Sequence, residues 1–194
     1  MKPKLDAKSL RDLEEDHHLE PITRFSLYFI LDNIYDTYNI GGLFRLADAL
    51  SIEKIYICGE SETPPNHKIK KASIGTYKIV PWEYCSTTLE AVEKVRKDVK
   101  NVQVISIELD DTAQPYTSIS YTSPCALILG NETSGISPEV MQASDAISYI
   151  PMFGYNVSMN VIVSAAIAAY HVHTQLFQQP HTKAKTATKE TPSP

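Results

Sequence analysis

One tryptophan, three cysteines and seven glycines stand among the 194 residues, and the formal charge is -5. Each scarcity narrows what the chain can be. Cys58, Cys85 and Cys125 are odd in number, lie in or beside apolar runs and lack close metal-ligand spacing, so neither a disulfide framework nor a bound metal is expected, and the compartment is a reducing one, the cytoplasm by default. The negative balance gives no global attraction to phosphate backbones, and any nucleic-acid partner has to be held by a local basic patch. No apolar run approaches the roughly 20 residues that cross a bilayer, and the longest, Val161 to Tyr170, is interrupted by Ser164, so no membrane partner is expected. The first residues are polar and charged, with no apolar run behind the charges, which argues against a secretory leader. Both G-x-G-x-x-G and G-x-x-x-x-G-K-[ST] are missing, which disfavours a dinucleotide oxidoreductase and a P-loop nucleotidase.

What remains is the composition of an ordinary globule, 43% hydrophobic and 21% charged, long enough to bury roughly 70% of its unfolded surface around one core. Short apolar runs predict six strands, at Phe25–Leu31, Lys54–Cys58, Tyr77–Pro81, Val102–Ile107, Cys125–Leu129 and Ile147–Ile150. Helical spacing separates them: Ile40–Leu50, a short basic segment at Lys68–Ser73, a helix opened by a Thr87/Glu90 capping box, a start at Ser137-Pro138, and a last helix to about Phe177. Alternation at this spacing predicts an α/β domain built on a mostly parallel six-stranded sheet covered on both faces. Before it, Ser9–Leu19 reads as a peripheral amphipathic helix capped at Ser9, within an N-terminal arm of residues 1–24. After it, residues 178–194 lack the apolar side chains that ordering requires and are expected to be disordered.

Three loops carry the polar chemistry. Asn39-Ile-Gly-Gly-Leu-Phe-Arg45 follows the first strand; its glycines are expected to let backbone approach a ligand, and Arg45 can present a fork of donors to a phosphate or carboxylate. Gly130-Asn-Glu-Thr-Ser-Gly-Ile-Ser137 follows the fifth strand and holds Glu132 between two glycines. Ile150-Pro-Met-Phe-Gly leaves the sixth strand and delivers Ser158-Met-Asn160 to the start of the last helix. Each could be a turn or a helix cap by itself. Junctions at the carboxyl ends of strands are also where open α/β sheets bind ligands.

Taken jointly and in order, Asn39-x-Gly-x-x-x-Arg45, Gly130-Asn-Glu-x-x-Gly135 and Ile150-Pro-Met-x-Gly with Ser158-Met-Asn160-Val resemble the three motifs of the SPOUT methyltransferases, specifically the TrmH-like (SpoU) RNA ribose 2′-O-methyltransferases. Lys71-Ala-Ser-Ile-Gly75 followed by Val80-Pro-Trp82 is similar to the segment between the first two motifs, and the resemblance spans Phe25 to Phe177. It implies a Rossmann-like domain over residues 25–177 with a deep C-terminal trefoil knot, and S-adenosylmethionine held largely through backbone at Leu129, Gly130, Ile150, Met152 and Met159. It further implies a homodimer whose sites use both subunits, with the small residues Ser164, Ala165, Ala168 and Ala169 suited to close helix packing.

Catalytic residues carried over are Arg45, Glu132, Ser158 and Asn160, with Asn39 toward the RNA. An Arg with pKa above about 12 is a poor base, so Arg45 is expected to clamp the substrate phosphate and stabilise the developing alkoxide. Lys70 and Lys71, with Lys68 and nearby Lys78, are the expected RNA grip. tRNA is the favoured substrate. An rRNA methyltransferase, a knotted RNA-binding protein without catalysis and a small-molecule enzyme remain alternatives. Leu46 and Met159 depart mildly from the family pattern.

Overall fold

Residues 5–13, 19–20 and 22–178 are described by the structure, a computed structural model, with side chains to residue 176. Seven strands form one sheet: β1 (Phe25–Asp32), β2 (Ile52–Cys58), β3 (Trp82–Cys85), β4 (Gln103–Ile107), β5 (Gln114–Pro115), β6 (Cys125–Gly130) and β7 (Ala146–Tyr149). Their order is β3-β2-β1-β6-β4-β7-β5, and every pairing is parallel. Parallel strands buried on both faces read as continuous apolar runs rather than alternations, which is why Phe25–Leu31 and Cys125–Leu129 stand out in the sequence. Along β1 the period of two still sorts the core: Leu27, Phe29 and Leu31 belong to one apolar cluster and Ile30 to the other.

The first cluster is closed by α2 (Thr37–Ala49) and α6 (Val161–Gln178), the second by α4 (Thr88–Asp98) and the short α5 (Pro138–Gln142). α3 (His67–Ser73) packs on α2 rather than on the sheet. Gly41 and Gly42 explain how closely α2 is approached. A Cβ on Gly41 would stand 2.5 Å from Ala72 Cβ and 2.9 Å from the Ser73 backbone nitrogen, and one on Gly42 would stand 2.4 Å from the Ile162 Cδ1 tip. The two glycines expected to admit a ligand therefore admit α3 and α6 instead.

The sheet has seven strands, not six, because Gln114-Pro115 adds two residues beside β7 within what reads as a polar connection. Two residues are too short for any periodicity, and Pro is tolerated at an edge. The strand expected at Tyr77–Pro81 is displaced. Thr76–Lys78 is a 3₁₀ turn, with the Ile79 and Val80 amides donating to Thr76 O, and β3 begins only after Pro81. Tyr77 and Val80 are apolar because they fill the core beneath that turn.

At the N-terminus the helix α1 (Ala7–Asp12) starts earlier than expected. Asp6, not Ser9, is its cap, accepting from the Ser9 amide at 2.8 Å, and the helix ends by Leu13. The arm docks on the domain through Lys78, whose ammonium donates to Arg11 O at 3.1 Å and also to Leu13 O, the carbonyls at the negative end of α1. The capping box of α4 is present as a variant: Thr87 Oγ1 accepts from Glu90 N at 3.1 Å, while the Glu90 carboxylate reaches back to the Ser86 amide. Of the tail expected to be disordered, residues 178–194, Gln178 is the last residue of α6 and residues 179–194 lie outside the described residues, as do residues 14–18 of the arm.

Candidate active site

Parallel register brings the strand ends level. Asp32 lies opposite both Cys58 and Gly130, and Ile107 lies opposite both Leu129 and Ser148. The chain therefore leaves β6, β4 and β7 along one edge, and a cavity of 790 Å3 opens there. That volume falls within the range of about 300–1,000 Å3 typical of small-molecule sites. Its floor is made by Ile107, Leu129 and Ile150, its walls by the loops 130–135 and 150–159 and by Val161 and Ser164 of α6.

The loop after β6 is shaped by its own side chain. Asn131 is buried, and its Oδ1 accepts the amides of Thr133 and Ser134 at 2.9 Å each, while Gly135 N returns to Asn131 O at 3.0 Å. Gly135 has φ +64, the left-handed region, and a Cβ there would meet the Glu108 carboxylate at 2.3 Å, so glycine is demanded twice. A Cβ on Gly130 would strike Gly135 C at 2.5 Å, which leaves the peptide backbone itself as the cavity lining at that point.

The three loops meet through Asn39, which α2 buries to 5% exposure. Its Nδ2 donates to Glu132 Oε1, and its Oδ1 accepts from Asn160 Nδ2 at 3.0 Å. Asn160 also caps α6, its Oδ1 accepting from Ile162 N at 2.8 Å. The cap and the link are thus compatible duties of one side chain. Ser158 is exposed on the cavity rim, its amide donating to Asn156 Oδ1 at 3.4 Å.

Every residue expected around the methyl donor lines the cavity: Leu129, Gly130, Ile150, Met152 and Met159, together with Glu132 and Ser158. Asn39 and Asn160 do not line it and are joined to it through Glu132. Arg45 stands apart. It is exposed on α2, lines no part of the cavity, and its side chain makes no hydrogen bond or ion pair with another described residue. Lys68, Lys70 and Lys71 are exposed on α3, whereas Lys78 is engaged in holding the arm. Glu108 has no counterpart among the residues expected from the sequence: it follows β4 directly and lines the cavity. Its only sequence signal is that position, the first residue past an apolar strand, which it shares with Asn131 and Ile150.

The three thiols play no part here. Burial pushes the Cys58, Cys85 and Cys125 pKa values up, that of Cys125 to about 12, so they stay protonated and unreactive at neutral pH. Among the described residues no helix is long and apolar enough to cross a membrane.

A parallel sheet flanked by helices on both faces, with a ligand-sized cavity beyond the carboxyl ends of its strands, defines a ligand-binding α/β domain. Which one is settled by comparison: residues 26–170 match the sequence profile of the SpoU rRNA Methylase family, and the chain belongs to that family. It is 28% identical over 157 residues to the tRNA (guanosine(18)-2′-O)-methyltransferase of Aquifex aeolicus, an alignment covering 77% of this chain and 69% of that enzyme. It is 28% identical over 144 residues to the 23S rRNA (guanosine(2553)-2′-O)-methyltransferase RlmP of Bacillus subtilis, covering 74% and 56%. Among solved structures, the AdoMet-bound rRNA methyltransferase from Sinorhizobium meliloti superimposes with a TM-score of 0.71 at 26% identity, covering 86% of this chain and 60% of that one. The chain spans 56% to 69% of the length of the first curated relatives it matches.

Proposed function

We propose that the protein transfers the methyl group of S-adenosylmethionine to a ribose 2′-hydroxyl of RNA, with tRNA favoured over rRNA. The observation that carries this reading is the hydrogen-bonded series Glu132, Asn39, Asn160, which ties the three motifs together and reaches the cavity through Glu132. A scaffold that had lost catalysis has no need to keep all of them joined. The cavity fits the donor: peptide groups at Leu129, Gly130 and Ile150 suit an adenine edge, Met152 and Met159 offer soft apolar contact, and among the described residues no Lys, Arg or His lines it to repel a sulfonium. Bound there, the donor supplies an activated methyl group that needs only an aligned nucleophile.

This chain's own residues then act by position. Glu132, held by Asn39, and Ser158 on the rim orient the incoming ribose; proximity of that kind can supply several kcal/mol of the barrier. Arg45 clamps the phosphate next to the target and stabilises negative charge growing on the 2′-oxygen. Its place outside the cavity supports a site completed by two copies, Arg45 of one protomer serving the cavity of the other. A homodimer is further supported by the exposed apolar side chains of Phe153, Tyr155 and Val157 on the loop before α6, at 97%, 109% and 72% exposure, and by Val163 and Tyr170, half-exposed on α6 itself. Patches of this kind on a monomer usually mark an interface. The knot of the family is supported by the return of α6, last in the chain, to pack on α2, β6 and β4 at the middle of the sheet. Three buried thiols without a disulfide suit the cytoplasm.

The test uses the full chain with methyl-labelled S-adenosylmethionine and total tRNA or ribosomal RNA, followed by digestion to nucleosides. A labelled 2′-O-methyl nucleoside from tRNA is expected. Transfer to rRNA alone would reassign the substrate. Cofactor binding without transfer to either RNA would overturn the enzymatic reading in favour of an RNA-binding protein.

A further inference from the structure

Among the described residues, Glu108 and Glu132 are the only charged side chains lining the cavity, and both are acidic. They are held differently. Glu132 is exposed and tied to Asn39, whereas the Glu108 carboxylate is fixed from two sides, Oε1 by the Leu109 amide at 2.9 Å and Oε2 by the Ile136 amide at 2.9 Å. Two backbone donors from β4's own exit and from the loop beyond β6 leave it little freedom to swing away, while each oxygen keeps further lone pairs. Gly135, with no side chain, makes the room that this carboxylate occupies. A fixed negative charge in a partly enclosed cavity without a countering cation is an arrangement that discriminates ligands by charge.

We infer that Glu108 is a specificity residue that favours the sulfonium form of the methyl donor over its neutral thioether product. The inference rests on the cofactor reading above and adds a residue and a property to it. S-Adenosylmethionine and S-adenosylhomocysteine share the adenosine and the amino-acid ends; they differ by one methyl group and one positive charge. A residue that only shapes the loop acts on both alike. A carboxylate acts on the charge, and when the methyl leaves, the product loses that attraction and departs more readily. Between partly solvated charges several ångströms apart, the preference should amount to about three- to tenfold.

The experiment is calorimetric titration of the full chain with S-adenosylmethionine and, separately, S-adenosylhomocysteine, in the wild type, Glu108→Gln and Glu108→Asp. Glu108→Gln should lower the ratio of the two affinities about three- to tenfold, while Glu108→Asp retains most of it. Equal weakening of both ligands in Glu108→Gln would reduce Glu108 to a loop support and overturn the inference while leaving the cofactor reading intact. Failure of the wild type to bind either ligand would overturn the cofactor reading, and this inference with it. Should Glu108→Gln not fold, Glu108→Thr removes the same charge with a smaller side chain, and an affinity ratio equal to that of the wild type would overturn the inference.

Discussion

Asn39 stands between Glu132 and Asn160, donating to one and accepting from the other, although these residues lie 93 and 121 positions away in the chain. A buried amide is suited to that place because it offers a donor and an acceptor on one planar group without a charge. Asn39→Asp keeps the acceptor and loses the donor, and sets a second carboxylate against Glu132. Turnover should fall by about ten- to a hundredfold, the effect of roughly 1–3 kcal/mol of misplaced polar interaction, with S-adenosylmethionine affinity nearly unchanged. Steady-state kinetics beside calorimetry would show it, and undiminished turnover would remove the series from the mechanism.

Arg45→Ala should abolish methylation while the donor still binds, because Arg45 lies outside the cavity. If two copies share each site, mixing inactive Arg45→Ala with inactive Glu132→Ala should restore about a quarter of wild-type activity. That figure follows from random exchange of subunits in a symmetric dimer, in which half of the dimers are mixed and one of their two sites is intact. No recovery after verified exchange would place Arg45 and Glu132 in the same protomer's site.

The lysines divide by what they touch. Lys70→Ala with Lys71→Ala should weaken RNA binding and flatten its dependence on log salt concentration by about one to two units, one for each phosphate no longer neutralised. Lys78→Ala should leave that slope alone and instead free the arm, since its ammonium holds Arg11 O and Leu13 O. Filter binding across a salt series, with limited proteolysis of the arm, separates the two; a slope unchanged in the double variant would leave RNA to be gripped elsewhere.

Adjacent glycines of α2 should respond unequally. In Gly41→Ala the new methyl meets backbone of α3, which cannot move aside cheaply, and a loss of about 1–3 kcal/mol is expected. In Gly42→Ala it meets the Ile162 side chain, most closely at its Cδ1 end, and no backbone, and the helix gain of about 0.5–1 kcal/mol offsets the rearrangement. Urea denaturation of both variants checks this, and equal losses would contradict it.

His171 contributes a pH dependence to stability. Its ring packs edge-on against Tyr116 and Tyr121, with centroids 5.0 and 5.8 Å away, and burial holds its pKa below the ordinary 6.5. The folded chain therefore binds fewer protons than the unfolded chain below that value, and stability is lost as pH falls through the ordinary histidine pKa toward the depressed one. His171→Gln should lose less melting temperature than the wild type between about pH 7.5 and 5.5. Identical losses would assign the acid sensitivity to other groups.

By itself the sequence determined what depends on short range. Continuous apolar runs such as Phe25–Leu31 and Cys125–Leu129 dictate strands buried on two faces, Ser137-Pro138 and Thr87 start helices where hydrogen bonding to their own next residues directs, and the order of three loops identifies the family. Tertiary structure decided the rest, for reasons that no local pattern contains. Tyr77 and Val80 are apolar because a turn folds them into the core, and a two-residue edge strand at Gln114-Pro115 exists only because β7 offers it a partner. Gly41 and Gly42 make room for neighbouring helices rather than a ligand. Glu108 reaches the cavity because parallel register levels β4 with β6 and β7, and Asn39 meets Glu132 and Asn160 because α2 and α6 pack side by side. Contacts across such separations in the chain are set by how the layers stack, and that is fixed only when the whole core closes.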